Sequence, residues 1–401
     1  MSGLPENWKA LSLGELLVRE GGSIKTGPFG TVLKASEYGT KGVPIISVGE
    51  VGYGSFRIDE STPRAPREVV ERLPEYILSE GDIVFGRKGA VDRSAWVRPA
   101  ESGSFLGSDG IRLRFAGNTN SRFMAYQIQG ATAKAWLLQH ATGSTMLSLS
   151  QKILERLPVV VPPVSTQRAI AEVLAALDDK IAANRSLIES AEELAVLWLH
   201  GAASTPLADL VEHRRTSQDP AECDAGSVAH FSLPAFDERQ RPERVSPGEI
   251  KSAKFRITAP SVLISKLNPR FPRVWDVMDL PNVPSFASTE FLVLEPKYSS
   301  TSVLWAALNQ PVVGHQLESM VAGTSGSHQR VKPADILKVQ VADPRRLDSA
   351  IAERITNLAR IVHNAREESE TLAALRDTLL PRLMSGELRV KDAEAVVADA
   401  V

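Results

Sequence analysis

The feature that most constrains this fold is an internal repeat with a period of about 180 residues. Short segments of the first half reappear in the second half, in the same order and at nearly the same spacing. A chain of 401 residues is longer than chains that usually fold around a single hydrophobic core. The repeat therefore predicts two similar globular parts. The aligned pairs are Ile83 and Val262, Arg87 and Lys266, Trp96 and Trp275, Gly143 and Gly323, and Pro162 and Pro344.

Each copy of the repeat is followed by a long segment whose apolar residues recur every three or four positions. This heptad-like stripe predicts two long helices, residues 164–203 and 344–386, each of about 37 residues or roughly 55 Å. We expect them to pair as an antiparallel coiled coil; the alternative is that each packs on its own globular half. Asn184 would either fix the pairing register or face solvent. The expected pairing positions are Ile170, Leu177, Ile181, Asn184, Leu194, Ile355, Leu358, Leu372 and Leu379.

The globular parts are predicted to be mixed α/β, of the α+β kind, with short strands and many Gly, Pro and Ser connections. Residues 111–115 alternate apolar side chains with Arg, which is typical of a half-exposed strand. Trp96 and Trp275 are expected to anchor cores. Further strands are expected at residues 43–49, 82–85, 158–161, 262–265 and 291–294, and short helices at residues 121–129 and 303–308.

These elements give a predicted domain plan. The first globular domain covers residues 1–163 and the second covers residues 204–343, each followed by its long helix, 164–203 or 344–386. Residues 387–401 form a tail, which is expected to fray because residues 391–401 contain no aromatic side chain.

Composition excludes several classes of protein. The single cysteine, Cys223, excludes an internal disulfide framework and any multi-cysteine zinc site. The 7 histidines show no HxxxH or HxxH spacing that would place a metal site on one helix face. The sequence starts without a signal-peptide pattern and has no apolar run long enough for a bilayer, so we expect a soluble, cytoplasmic protein. The net charge of −2 neither supports nor excludes a nucleic-acid partner.

Catalytic motifs are also missing from the sequence. It has neither the Gly-rich cofactor loop and Asn/Asp-Pro-Pro-Tyr/Phe motif of a methyltransferase nor a GxxxxGK[ST] P-loop. Glu249-Ile250-Lys251 has the local pattern of a Mg²⁺-dependent nuclease, although a turn precedes it. Cys223 and His230 form a weak candidate for a nucleophile pair. We expect no catalytic centre and no metal site, with the nuclease as the alternative.

An ordered set of motifs carries a family resemblance. The first half contains GVPIISVG at residues 42–49, GDIVF at 81–85 and LPVVVPP at 157–163, and the second half ends on LRDTLLPRLMSGEL at 375–388. In this order the chain resembles the specificity (S) subunits of type I restriction–modification systems over nearly its whole length. One departure is Thr166, which precedes Gln167 where the family usually has an acidic residue. The second repeat lacks that Gln, which indicates a more diverged second half.

The resemblance implies a function. Each globular part would be a target-recognition domain that reads half of a split site in double-stranded DNA, and the paired helices would set the gap between the halves. It further implies docking to two copies of an adenine-N6 methyltransferase subunit, with ATP-driven restriction subunits as further partners and no membrane association. S-adenosylmethionine, ATP and Mg²⁺ would be bound by those partners and not by this chain. A protein-interaction scaffold without DNA readout is the other alternative.

Basic and polar side chains near predicted strand ends and Gly-rich loops are the candidate DNA contacts, because Arg and Lys neutralise phosphates or reach guanine edges. Backbone amides and hydroxyls of Gly-rich loops also suit phosphate contact. The candidates are Arg87, Lys88, Ser144, Thr145, Lys266, Arg270, Arg273, Ser327, His328, Gln329 and Arg330.

Overall fold

The computed structural model describes residues 4–270, 272–320 and 329–400. They form two compact units. The first contains residues up to 182 together with those from 369 onward, and the second contains residues 183–368. No helix of the described residues is both long and apolar enough to cross a bilayer.

The strands of the first unit are β1 (Lys9–Ser12), β2 (Ser23–Thr26), β3 (Val43–Ile46), β4 (Tyr53–Gly54), β5 (Arg64–Ala65), β6 (Ile83–Gly86), β7 (Ser94–Trp96), β8 (Phe105–Leu106), β9 (Gly110–Arg114) and β10 (Pro158–Val161). Its short helices are α1 (Leu13–Glu20), α2 (Arg67–Arg72), α3 (Ser121–Gln129), α4 (Ala131–His140) and α5 (Gln151–Glu155), and the long helix α6 (Val164–Leu197) begins here.

The strands of the second unit are β11 (Ser204–Pro206), β12 (Val211–Arg214), β13 (Ser217–Gln218), β14 (Val228–Phe231), β15 (Glu243–Val245), β16 (Lys254–Ile257), β17 (Ser261–Ser265), β18 (Val274–Val277), β19 (Ser285–Ala287), β20 (Phe291–Pro296) and β21 (Gln340–Ala342). Its short helices are α7 (Leu207–Leu210), α8 (Leu233–Arg239), α9 (Thr301–Leu308), α10 (Pro311–Ser319) and α11 (Pro333–Ile336). The chain ends with the long helix α12 (Ser349–Ser385) and α13 (Val390–Ala398).

The two units share one sheet topology. The strand order β2-β9-β6-β7 of the first unit recurs as β12-β20-β17-β18 in the second. Beside this sheet, β3 pairs parallel with β8 and antiparallel with β5, and β14 pairs in the same way with β19 and β15. A small antiparallel pair joins β1 to β10 and, likewise, β11 to β21. The internal repeat of the sequence is therefore a repeat of the fold.

Local sequence explains where the central elements form. Every residue of β6 and β17 is buried, as expected for apolar runs inside a sheet covered on both faces. Helix α1 begins with a capping box, in which Ser12 Oγ accepts a hydrogen bond from Glu15 N (3.2 Å) and the Glu15 carboxylate accepts one from Ser12 N (2.8 Å). It ends at Gly21, whose φ of 70° is the left-handed conformation that favours glycine.

The long helices pack against each other within each unit, which confirms the predicted pairing. In the first unit Ile170, Leu177, Leu372 and Leu379 share one buried cluster, and Arg376 Nη1 lies 2.8 Å from Asp178 Oδ1. The partly buried Ile181 packs against the same cluster.

In the second unit the helices run antiparallel. Near the start of its α6 segment, Asn184 is buried and donates a hydrogen bond to Ala365 O (3.3 Å). Further along α6, Ala195 shares a buried cluster with Ile355, and the partly buried Leu358 packs against it. Since the α12 numbers fall as the α6 numbers rise, the two chain directions oppose each other.

Leu194 corrects the predicted pairing stripe. Its side chain is 37% exposed, whereas Asn184, Ala191 and Ala195 are buried. At about 100° per residue, Leu194 lies roughly 80° around the helix from Asn184, and so outside the buried stripe. The heptad-like pattern had combined residues of two different faces.

The ends of the long helices also differ from the prediction. Helix α6 ends at Leu197 and not at residue 203, and α12 starts at Ser349, after a short 3-10 turn. Helix α12 continues through Pro381 to Ser385. The tail is not frayed, because α13 buries Ala393 and Val397 in the core of the first unit.

Arg112 corrects the prediction of a half-exposed strand at residues 111–115. Arg112 in β9 is only 5% exposed, and its Nη1 donates to Glu75 O at 3.0 Å. The aliphatic part of an Arg side chain can be buried when its polar atoms find partners. The alternation of Arg with apolar residues therefore does not mark a solvent-facing strand here.

The backbone ladder also corrects the alignment of Trp96 with Trp275. Gly86 N donates to Arg93 O (3.1 Å), and its counterpart Ser265 N donates to Arg273 O (3.0 Å). Following the strand pairing from these residues, Ile83 pairs with Trp96 and its counterpart Val262 pairs with Asp276. Asp276, and not Trp275, is therefore the counterpart of Trp96.

A shift of one residue moves a strand side chain to the opposite face of the sheet. Trp275 is 4% exposed and packs edge-on against Phe231, with ring centroids 4.9 Å apart. Trp96 is only partly buried, and its Nε1 donates to Ser121 Oγ (3.0 Å). Trp275 is therefore the core anchor that was predicted, while Trp96 lies at a core's edge.

Candidate nucleic-acid interface

The candidate basic residues of the first unit lie where β6 ends. Arg87 N donates to Asp109 O and Arg87 O accepts from Leu149 N, both at 2.8 Å. Two residues on, Gly89 N donates to Leu147 O at 2.8 Å, and its φ of 73° favours glycine. The loop after β6 is thus tied to the segment that contains Ser144 and Thr145.

The segment around Ser144 and Thr145 is a closed turn. Thr142 N donates to Ser148 O (3.0 Å) and Ser148 N donates to Thr142 O (2.7 Å). Ser144, Thr145 and Met146 are exposed within this turn. All four candidates of the first unit therefore belong to two loops that are hydrogen-bonded to each other.

The second unit repeats this loop arrangement after β17. Lys266 N donates to Glu290 O (2.9 Å), and Lys266 O accepts from Val331 N (3.0 Å). Asn268 N donates to Gln329 O (2.9 Å), as Gly89 N does to Leu147 O. Asn268 also has a positive φ, 50°, which Asn tolerates better than most residues. We refer to residues 87–89 and 266–268 as the two strand-end loops.

The charged groups of the first strand-end loop have different partners. Lys88 Nζ lies 3.2 Å from Asp109 Oδ1. The guanidinium of Arg87 instead lies over the Phe29 ring, 5.1 Å from its centroid, with Nη1 3.4 Å from Ser108 O. Phe29 is 58% exposed, so this cation–π pair lies at the surface.

The second strand-end loop acts electrostatically on a histidine of β12. Burial, and then the positive charges of Arg215 and Lys266, lower the pKa of His213 on β12. Lys266 and Arg215 therefore act on the same His213 imidazole. Arg270 is exposed.

The other two candidate arginines of the second unit bind carboxylates. Both Arg273 and Arg330 make paired hydrogen bonds, Arg273 to Asp237 (2.5 and 2.9 Å) and Arg330 to Glu290 (3.2 and 3.0 Å). The backbone carbonyl of Gln329 contacts the second strand-end loop, because it accepts the hydrogen bond from Asn268 N. Ser327 and His328 lie outside the described residues.

Sequence reasoning missed Phe29, His213 and Arg215. Phe29 follows β2, far in sequence from Arg87, and only the fold brings the two together. Arg215 follows β12, which is the counterpart of β2 in the repeated sheet order. A basic or aromatic residue in or just after the first strand of each repeated sheet order is the signal that could have found them.

The residues of the alternative enzymatic predictions make local contacts. The Glu249 carboxylate accepts from Ser246 N (3.4 Å), and Lys251 Nζ donates to Gly248 O (3.2 Å). Cys223 Sγ accepts from Arg256 Nη1 (3.8 Å), and His230 Nδ1 lies 3.9 Å from Glu243 Oε2. Across residues 4–270, 272–320 and 329–400, no three His, Cys, Asp or Glu side chains are grouped so that they could hold a metal ion.

Comparison with known proteins gives consistent matches. Residues 5–193 match the family model described as the type I restriction modification DNA specificity domain. The MjaVIII type I restriction enzyme specificity subunit of Methanocaldococcus jannaschii is 23% identical over 195 residues, which is 47% of this chain. That match spans 44% of the relative's own length.

A solved structure matches over more of the chain. The type I restriction–modification S subunit from M. genitalium aligns with a TM-score of 0.56 and 15% identity, covering 96% of this chain and 97% of its own. At this identity the similarity concerns the fold alone. Residues 5–193 are therefore similar in sequence to type I restriction modification DNA specificity domains, and the chain shares the fold of a solved S subunit.

Proposed function

We propose that this chain reads a split site in double-stranded DNA, one half with each unit. The observation that carries the proposal is the repeated strand-end loop. Arg87 and Lys266 stand at equivalent places, with equivalent backbone hydrogen bonds on both sides. Each loop presents basic groups at the surface, which suit contact with phosphates or guanine edges. Two linked readers also bind more tightly than either alone.

The proposed domain plan is the predicted one, with 1–163 and 204–343 as the readers. The long helices would then set the gap between the two half-sites, because half-site spacing follows from the separation of the readers. The protein would work in the cytoplasm, where chromosomal DNA lies, without membrane association.

The proposed protein partners are methyltransferase subunits, in two copies, with restriction subunits as further partners. Support comes from a second apolar face on α6 in the second unit. Leu187 (46% exposed), Leu194 (37%) and Leu197 (64%) lie on this face. Exposed apolar residues in a row are typical of protein interfaces. The chain itself would perform no catalysis, and S-adenosylmethionine, ATP and Mg²⁺ would be bound by these partners.

Methylome sequencing tests the DNA-reading role. Cells that carry this chain and its methyltransferase partner should show N6-methyladenine in one bipartite motif, and deletion of this chain alone should remove that motif. A methylome that does not change on deletion would refute the proposal.

Copurification tests the docking face separately. The double variant Leu187→Glu/Leu194→Glu should lose the methyltransferase, since it places two charges on the contact. The control is Ile361→Glu on α12, which is also exposed at 44%. Retention of the partner by the double variant would place the docking face elsewhere.

A further inference from the structure

The arginines in and around the two strand-end loops have different partners. In the second unit, Arg273 and Arg330 each hold a carboxylate with two hydrogen bonds. In the first unit, the nearby carboxylate of Asp109 lies against Lys88 (3.2 Å). The Arg87 guanidinium instead contacts the Phe29 ring and the backbone carbonyl of Ser108. Within residues 4–270, 272–320 and 329–400, no acidic side chain forms an ion pair with Arg87.

The position of Phe29 is fixed by its backbone. Phe29 O accepts hydrogen bonds from Val32 N (2.8 Å) and Leu33 N (3.0 Å), and Leu33 is 2% exposed. On the other side, Gly27 N donates to Gly110 O (3.0 Å). A Cβ on Gly27 would lie 1.7 Å from Gly107 O, so only glycine permits this close approach. The backbone that carries the exposed ring is therefore held in place beside Arg87.

Stacking and hydrogen bonding use different parts of a guanidinium group. When a guanidinium lies with its flat face on an aromatic ring, its N–H donors point outward in the plane. Here Nη1 makes a long contact with Ser108 O (3.4 Å), which leaves other donors of the fork available. A planar pair of donors matches the O6 and N7 acceptors of guanine in the major groove.

We propose that Arg87 reads a guanine in the half-site of the first unit, and that Phe29 is the positioning residue that orients it. This inference rests on the proposed DNA-reading function. The second unit has Lys266 at the equivalent place, a flexible point charge without the planar fork. The guanine contact would therefore be specific to the first half-site.

A selection experiment tests this inference. A duplex library with randomised positions is bound by the full chain in complex with its methyltransferase partner, and the enriched sequences are read. Arg87→Gln should reduce the preference for one G·C pair in one half of the motif by roughly 5- to 150-fold and leave the other half unchanged. The matched control is Lys88→Gln, which removes the same charge from the next residue and should keep that preference.

Phe29 gives a second series with the same readout. Phe29→Ala should weaken the same G·C preference by less than Arg87→Gln does, and Phe29→Trp should restore it, because either ring can carry the guanidinium. This pair decides the question if Arg87→Gln does not fold by circular dichroism.

The outcomes separate the two claims. If the unaltered complex enriches no bipartite motif, the proposed function fails. If it enriches a motif whose G·C preferences survive in Arg87→Gln, or fall equally in Lys88→Gln, only the assignment of Arg87 is overturned.

Discussion

The first and second units have the same sheet order but different side chains at matching positions. Trp96 of the first unit donates to Ser121 Oγ, whereas both carboxylate oxygens of its counterpart Asp276 are shielded from solvent, beside the Thr301 and Ser302 hydroxyls. At the strand-end loops, the Arg87 guanidinium lies over the Phe29 ring, whereas Lys266 and Arg215 both act on the His213 imidazole. The two repeats share the same backbone hydrogen-bonding pattern, but the side chains at equivalent positions differ. The proposed reading of two different half-sites would need such a division.

The largest effect is expected where the two units differ in their cores. Trp275→Ala should destabilise the second unit by about 3–5 kcal/mol, because a buried aromatic side chain is replaced by a cavity. Trp96→Ala should cost roughly 1–2 kcal/mol, since it removes a partly exposed ring and one hydrogen bond. Urea denaturation followed by circular dichroism measures both. Equal losses would mean that the two tryptophans are equivalent after all.

Asp276 gives the next largest effect, and it depends on pH. Burial raises the pKa of its carboxyl above the ordinary 3.8, more than the Thr301 and Ser302 hydroxyls lower it. The folded chain therefore holds this proton more tightly than the unfolded chain, and stability falls as pH rises above that ordinary value.

Asp276→Asn removes this penalty. It should stabilise the second unit by about 1–3 kcal/mol at pH 7, and the gain should shrink as the pH approaches 4. Denaturation curves of both proteins between pH 4 and 8 check the trend. Asp82→Asn in the first unit is the control that should lower stability, because it replaces the carboxylate that Arg114 Nη2 contacts at 2.6 Å. A pH-independent difference for Asp276→Asn would show that the group does not titrate differently on folding.

Asn184 tests the helix pairing in the second unit. Asn184→Ala should destabilise the chain by about 1–2 kcal/mol, because it removes buried hydrogen bonds to Ala365 O (3.3 Å) and Glu368 Oε2 (2.7 Å). Leu194→Ala, on the exposed face of the same helix, should cost less. If the order of these two losses were reversed, the buried stripe would have been assigned to the wrong face.

The smallest effect is expected from the charge of the second strand-end loop. Lys266→Gln should weaken binding to all DNA sequences without changing the preferred bases. The slope of log affinity against log salt concentration should fall by about 1, the contribution of one phosphate contact. Titrations at several salt concentrations measure that slope. Loss of base preference in Lys266→Gln would make the second loop a base reader like the first.

Much of the fold was predictable because burial leaves periodic patterns. Strands β6, β10, β17 and β20 and helix α3 lie where apolar runs and turn residues indicate them. The repeat also located both strand-end loops, since Arg87 and Lys266 align in sequence and in backbone hydrogen bonding.

What could not be predicted depends on contacts between distant residues. A sequence alignment does not reveal that Trp96 and Trp275 are offset by one residue, but this offset places the two side chains on opposite faces of their sheets. The exposure of Leu194 depends on which of two apolar faces meets α12. The contact of Arg87 with the Phe29 ring joins loops that follow different strands, and the burial of α13 depends on a core formed by the other end of the chain.

The most direct test of the central claim compares methylation motifs from two variants of the complete complex. One carries Arg87→Gln and Lys88→Gln, and the other carries Arg215→Gln and Lys266→Gln. Our account predicts that the first variant loses methylation or base preference through one half of the bipartite motif, and that the second is impaired only through the other half. If both variants alter the same half, or if neither alters the motif, then the two units do not read separate half-sites.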